Sequence, residues 1–427
     1  MEFLANEYET IYEAPKGMAV FPYTPAICVL DNGRYVFTND LGGADRVKLE
    51  EYKCAVPNPS NGDVCIGQIF TSDDKGKTWQ RRAVRNFGHA RPFVSGSSVY
   101  VLGHCGDLVI YRSDDNGETW DEGHYLTQGE VWHQSACAYW IEDGYITLVM
   151  ENCFNHPDEF KIGWNVESLA PVVLRAKIGD DLTKRENWTF SNRVRFRDVI
   201  DTDDIDYFGI PFYTTRKHEN EYDDGRVFTE MPGWLESNVV RIKDPNHYWY
   251  DPNGKTFHIF MRTHTARSGY CALMKAVISE ENGKEVITVE PQLEPSGKKV
   301  IFLPMPGGQM RFHILWDEKT KLYWLLSTQC TDSMTRKELL PPERYNIPCD
   351  ERDRLQLSFS KNMVDWCFAG FVAKGESSKQ SRHYCCMAID GDDLILVSRS
   401  GDKDSFSAHN TNLATFHKIK NFRDLVY

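Results

Sequence analysis

Short apolar or alternating runs recur from one end of the chain to the other, cut by Gly, Asn and Asp, and no long stretch keeps a helical period. The pattern predicts an all-β protein. Two of the turns between runs are copies of each other: Ser72-Asp73-Asp74-Lys75-Gly76-Lys77-Thr78-Trp79 and Ser113-Asp114-Asp115-Asn116-Gly117-Glu118-Thr119-Trp120. In the shared Ser-x-Asp-x-Gly-x-Thr-Trp pattern each residue type suits a tight hairpin. The Asp oxygens accept turn N–H bonds, Gly takes positive φ, and Trp packs under the loop. The chain is built from a repeat.

This turn resembles the Asp-box of the sialidase superfamily of β-propellers. The resemblance implies that each box joins the third and fourth strands of a four-stranded antiparallel blade, and the remaining strands can be laid around it. The first blade takes 25–30, 34–38, 65–71 and 79–84, and the second takes 90–94, 98–102, 108–112 and the run from Trp120 onward. The third begins near Trp132, continues through 145–150 and 172–177, and closes near Trp188. The fourth takes 235–242, 256–262, 271–278 and 285–289; the fifth takes 310–316, 322–328 and 355–360, with 360–366 as a worn box. The sixth takes 384–389, 393–398 and 413–419, and 9–13 supplies its missing outer strand, so that the two ends of the chain close the ring. The fold predicted is a six-bladed β-propeller, a single domain over residues 1–427. Closure removes the exposed sheet edges of an open array. Segments 192–233 and 331–353 are long, charged and rich in Pro or Asp, and are read as insertions reaching over one face, with Asp201, Asp203, Asp204, Asp206 and Glu230 on a lid.

Composition narrows the partners. A net charge of −13 without any long run of Lys or Arg argues against nucleic acid and anionic membrane. The 13% of aromatic residues suits propeller packing and sugar stacking alike, so it decides nothing. The twelve cysteines, with Cys385 and Cys386 adjacent, form neither a small disulfide framework nor a CxxC pair, which predicts reduced thiols. Cys and His nowhere take zinc-ligand spacing, and no metal or organic cofactor is expected. Residues 1–19 are charged and lack an apolar signal core, and no window approaches the length of an apolar membrane span. The expectation is a cytoplasmic protein, or a secreted one whose signal peptide is not included in this sequence.

In an antiparallel blade the start of the first strand and the end of the second lie on one face, because the second strand retraces the first. Unusual polar residues gather at those two places in blade after blade. The first blade gives Asn39, Asp40, Asp45 and Arg46; the second gives Arg91 and His104; the third gives His133, Glu151 and Asn152. The fourth gives Glu236, Arg262 and His264; the fifth gives Gln309, Arg311 and Gln329; the sixth gives Arg382, His383, Tyr384, Arg399 and His409. Strand ends are polar in any protein, and a lone Arg or His there is more often structural. Six blades contributing to one rim is the pattern of a ligand site in the concave top of the ring.

The likeness to sialidases extends to these positions. It implies that Tyr384, in Arg382-His383-Tyr384, is the nucleophile and that Glu236, in Trp234-Leu235-Glu236-Ser237, is its partner. It implies too that Asp40 or Asp45 is the acid/base and that Arg262 and Arg311 bind substrate. One departure stands out. The family opens its first blade with Arg-Ile-Pro, whose Arg binds the substrate carboxylate, whereas this chain has Tyr23-Thr24-Pro25, leaving Arg46, Arg91, Arg382 or Arg399 to substitute.

The same residue types fit the chemistry without the name. Cleaving a glycosidic bond needs one protonated carboxyl to donate to the leaving oxygen and a second group to attack or to activate water. A Tyr, with an ordinary pKa of about 10, needs a neighbouring carboxylate to take its proton. Arginine forks suit a carboxylate, a sulfate or a hydroxyl-rich sugar, and His104, His133 and His264 suit sugar hydroxyls. Glu151 is the rival acid. The leading expectation is an exo-acting glycoside hydrolase releasing a terminal acidic or modified sugar from an oligosaccharide or glycoconjugate. Two rivals stand beside it: a polysaccharide lyase, in which His or Tyr takes the proton beside a uronate carboxylate neutralised by Arg, and a non-catalytic carbohydrate- or protein-binding propeller.

Overall fold

The computed structural model describes residues 2–133, 137–154, 166–200, 233–263, 269–333, 335, 339–341 and 351–427, with the backbone alone of 220–221 and 227–228. Its architecture is six antiparallel sheets set in a ring, each of four principal strands, which is a β-propeller.

Blade one pairs Ala26–Val29, Tyr35–Gly42, Gly67–Ser72 and Gln80–Arg85 from the axis outward. Blade two uses Gly88–Ser95, Ser98–Cys105, Asp107–Ser113 and His124–Tyr125. In blade three the inner strand is split into Trp132–His133 and Trp140–Glu142, followed by Tyr145–Cys153, Leu169–Lys177 and Trp188–Phe190. Blade four uses Trp234–Val240, Thr256–Thr263, Tyr270–Glu281 and Lys284–Glu290, and blade five uses His313–Asp317, Leu322–Thr328, Arg354–Ser360 and Cys367–Lys374. Blade six takes Arg382–Asp390, Asp393–Ser400 and Leu413–Ile419, and its outer strand is Glu9–Glu13 from the far end of the chain. The strand order expected from the sequence is the order found, including the shared closing blade.

The two octapeptides fold identically. Asp74 Oδ1 accepts from the Ser72 hydroxyl and the Thr78 N–H, both at 2.9 Å, while the Ser72 hydroxyl accepts from the Gly76 N–H at 2.9 Å. Asp115, Ser113, Thr119 and Gly117 repeat the set. The indole N–H of Trp79 donates to the Gly76 carbonyl at 3.0 Å, and that of Trp120 to the Gly117 carbonyl at 3.1 Å. These bonds tip each indole into a seam between blades. Trp79 meets Phe37 of its own blade at 5.8 Å and Phe416 of blade six at 5.7 Å, and Trp120 packs with Cys28, Val36 and Val99 between blades one and two. Burial of such rings between sheets is the main adhesive of the ring, since large aromatics remove the most apolar area from water.

The strands are buried on both faces by their neighbours, so several read as nearly continuous apolar runs. Ser98–Cys105 and Trp234–Val240 are buried throughout. Among the described residues helix is confined to short turns such as Ala44–Lys48, Glu50–Lys53 and Phe196–Val199. No helix among the described residues is long and apolar enough to cross a membrane. Most of the two expected insertions, with Asp201, Asp203, Asp204, Asp206 and Glu230, lies outside the described residues.

Candidate active site

Three side chains are brought to one place by the same backbone device. The innermost strands of blades two, four and six each slip register at the end where they begin: between Gly88 and Arg91, between Leu235 and Asn238, and between His383 and Cys386. Within each slip one residue takes a left-handed backbone: His89 at φ 48°, Glu236 at 57° and Tyr384 at 51°. For a residue with a Cβ this costs roughly 1–2 kcal/mol. A bulge re-aims a side chain out of the sheet's strict alternation, and here it does so in every second blade.

Glu236 and Tyr384 meet across Arg262, which ends the second strand of blade four. Arg262 Nη1 donates to the Tyr384 phenol oxygen at 2.9 Å and stands 3.3 Å from each carboxylate oxygen of Glu236. Its Nε donates to the Gln309 carbonyl at 2.8 Å, which fixes the plane of the fork. All three side chains are buried. Burial pushes the Tyr384 phenol above its ordinary pKa and the negative charge of Glu236 adds to this, while Arg262 and Arg352 pull the other way. The Tyr384 phenol therefore holds its proton more firmly than a free tyrosine, with the Glu236 carboxylate beside it.

Further cations surround the ring. The guanidinium carbons of Arg399, Arg352 and Arg311 lie 5.3, 5.7 and 5.8 Å from its centroid. Arg311 donates to the backbone carbonyls of Tyr384 and Cys385, tying the bulge of blade six to blade five. Arg399 also lies 4.0 Å over the ring of Tyr23. The position where the resembled family has its first arginine is therefore filled by an aromatic ring that carries an arginine from the last blade. Burial lowers Arg399 to about 10.

Asp40 lies two residues before the end of the second strand of blade one and is buried. Burial raises its carboxyl to about 6, against the pull of the His89 N–H, 3.3 Å from Oδ1, and of Arg399. Next to it stand three imidazoles. His89 Nδ1 is 3.0 Å from His104 Nε2, and the His89 and His133 rings are 4.3 Å apart. Burial drives all three toward the neutral form: His89 well below its usual value, His104 to about 3 and His133 to about 4. Glu151, opposite His133 on the neighbouring strand, is raised to about 8 by burial, with Ser237 opposing through two hydrogen bonds and the charge of Glu236 assisting. Its other oxygen has no partner among the described residues. Glu151 is a neutral acid at neutral pH.

Of the residues singled out from the sequence, Tyr384, Glu236, Arg262, Arg311, Arg399, Asp40, His104, His133 and Glu151 lie in or against this cluster. Gln309 supports it through its backbone and donates its amide to the Thr328 carbonyl at 3.3 Å. Three others have different work. Asp45 sits on the turn Ala44–Lys48, where it accepts from the Ala19 N–H at 2.8 Å and pairs with Lys48 at 2.6 Å. Arg91 follows the bulge of blade two and donates to the Ala138 and Val149 carbonyls of blade three. Arg382 precedes its bulge, donates to the carbonyls of Ser381 and Gly401, and lies 5.0 Å over Tyr8. His264 lies outside the described residues. Two members of the cluster escaped sequence reasoning. His89 was hidden by the bulge, and Arg352, which reaches His383 Nδ1 at 3.1 Å, lies in the segment read as an insertion. Among the described residues no group of three or more His, Cys, Asp or Glu is arranged to hold a metal ion.

No family model and no curated protein sequence matches the chain. Among solved structures it is similar to the Penicillium chrysogenum alpha-L-arabinanase complexed with arabinobiose, at 12% identity over 99% of both chains with a TM-score of 0.48. It is similar to the alpha-L-arabinofuranosidase of Fusarium graminearum with arabinobiose, at 11% identity over 98% of both chains with a TM-score of 0.46. A third is the Trypanosoma rangeli sialidase in complex with sialic acid, at 12% identity and a TM-score of 0.48, covering 98% of this chain and 59% of that one.

Proposed function

We propose that the chain is an exo-acting glycoside hydrolase that releases a terminal acidic or otherwise modified sugar from a glycan. The observation that carries this reading is the buried contact of Tyr384, Glu236 and Arg262. In the reaction so read, Tyr384 Oη attacks the anomeric carbon as its proton passes to Glu236. The bond to the leaving oxygen breaks as Asp40 protonates that oxygen. Water, deprotonated by Asp40, then displaces the phenol oxygen, which recovers its proton from Glu236. A carboxyl near about 6 suits both roles of Asp40, since it is readily carried in either form near neutral pH. Arg262, Arg311, Arg352 and Arg399 favour a substrate with a carboxylate or similar anion, because forked guanidiniums bind such groups at two points.

The neutral imidazoles of His89, His104 and His133 support a second reading, a lyase acting on a uronate-containing glycan, in which one of them removes the proton beside the carboxylate. One experiment separates the two. The protein, Glu236→Gln and Tyr384→Phe are incubated with a panel of oligosaccharides that includes sialosides and uronates, and products are identified by mass spectrometry and ultraviolet absorbance. Release of a saturated monosaccharide, abolished in both variants, is the outcome expected of the hydrolase. An unsaturated product moves the assignment to a lyase, and variants as active as the parent overturn the site.

A further inference from the structure

A chain of contacts links Tyr384 to an exposed phenyl ring. Arg399 bridges Tyr384 and Tyr23, and the Tyr23 hydroxyl donates to Asn410 Oδ1 at 2.9 Å. Beyond Tyr23, at 6.3 Å, lies Phe21, and 5.8 Å from Phe21 lies Phe406, which is 70% exposed. Most of the Phe406 ring faces water, and its surroundings hold it there.

It is held from two sides. The second strand of blade one ends at Gly42, and a Cβ there would fall inside the Tyr23 ring; one on Gly43, at φ 97°, would strike the Ala19 carbonyl and crowd Phe21. The strand end is bare where the rings lie. The loop bearing Phe406 joins the second and third strands of blade six and is laced by its own polar groups: Asn412 Nδ2 donates to Asp402 at 2.9 Å, Ser405 Oγ to Asn412 at 2.8 Å, and the Asn410 N–H to Ser407 Oγ at 2.9 Å. Phe21 is buried beneath as backing, and Tyr23 is half-buried between the two ends.

Resting on the hydrolase reading, we infer that Phe406, backed by Phe21, is the stacking platform for the second sugar of the substrate, the one on the leaving-group side of the bond cut. A phenyl ring has no polar handle and takes the C–H face of a pyranose by dispersion and weak C–H to ring contacts. The four arginines sit at the other end of this chain of contacts, around Tyr384. The substrate is therefore a glycan of at least two residues, its terminal sugar anionic and its second a neutral pyranose that presents an apolar face.

The test uses the full chain carrying Glu236→Gln, fluorescently labelled, on an array of defined neutral and acidic mono- and oligosaccharides. The expected result is capture of oligosaccharides with an acidic end and a neutral second residue. Adding Phe406→Ala should weaken that capture tenfold or more, whereas Phe406→Trp should stay within twofold and monosaccharide capture should not change. Capture that is unaltered by Phe406→Ala overturns the platform, as does failure to capture any glycan on the array. Turnover of a glycan by the unsubstituted protein that Phe406→Ala leaves intact sinks the platform and spares the hydrolase. Phe406-dependent capture with no turnover by the unsubstituted protein does the reverse.

Discussion

One nitrogen of Arg262 serves both Tyr384 and Glu236: Nη1 lies 2.9 Å from the phenol oxygen and 3.3 Å from both oxygens of the carboxylate. The three groups are buried together, so removing one leaves a charge or a dipole with no water to replace its partner.

Removing the cation alone should be severe. Arg262→Met leaves Glu236 buried without its fork and is expected to cost about 3–5 kcal/mol, the usual loss when one member of a buried pair is deleted. Arg262→Met combined with Glu236→Gln should cost clearly less than the sum of the two single changes. Urea unfolding of the four proteins gives the cycle, and additive losses would show that the groups are not coupled.

The two repeated turns make a contrasting pair. Gly76 and Gly117 both have positive φ, 89° and 83°, so an added Cβ strains each alike. A Cβ on Gly76 would enter the Phe416 ring of blade six, whereas one on Gly117 would stand 3.4 Å from methyls of Thr71 and Val36. Gly76→Ala should therefore lose about 1–3 kcal/mol more than Gly117→Ala, the typical cost of overpacking. Equal losses would place the whole effect in the backbone.

Glu151 predicts a pH dependence of stability. Its carboxyl sits at about 8 in the folded chain, above its ordinary 4.5, so in that window the folded state holds a proton that the unfolded state has released. Its contribution is complete below about pH 4.5, falls by about 1.4 kcal/mol per pH unit as pH rises toward 8, and is level beyond. Glu151→Gln abolishes this slope. The parent and the variant should therefore diverge in the variant's favour between pH 5 and 8 in denaturant titrations, whereas parallel curves would remove Glu151 from the account.

Arg399 should act through binding rather than through the chemical step. Lys keeps the charge but loses the flat face that lies on Tyr23 and Tyr384, so Arg399→Lys should raise KM about tenfold with kcat little changed. A fall in kcat at constant KM would instead assign Arg399 to the transition state.

The blades were legible because their signals are local. Apolar alternation, Gly and Asp at turns and the two copied octapeptides each depend on residues close in sequence, and they located even the outer strand Glu9–Glu13 of the last blade. Tyr384, Glu236 and Arg262 were legible as polar residues at strand ends. His89 was not, because an inserted residue shifts the strand's alternation and moves attention to Arg91, which turns instead into the seam with blade three. Arg352 belongs to a segment without period or turn signature, and only the fold brings it to His383. Nothing in the sequence distinguishes Asp45 from Asp40, since the choice depends on a turn that pairs Asp45 with Lys48.

The strand Glu9–Glu13 lies against Leu413–Ile419, so the blade that carries Tyr384 is finished by two segments far apart in the sequence. The groups that meet at Tyr384 come from blades four, five and six, and from Arg352 beside them. The surroundings of Tyr384 are therefore assembled only once residues 413–419 can meet residues 9–13, which makes closure of the ring the step that completes the cluster.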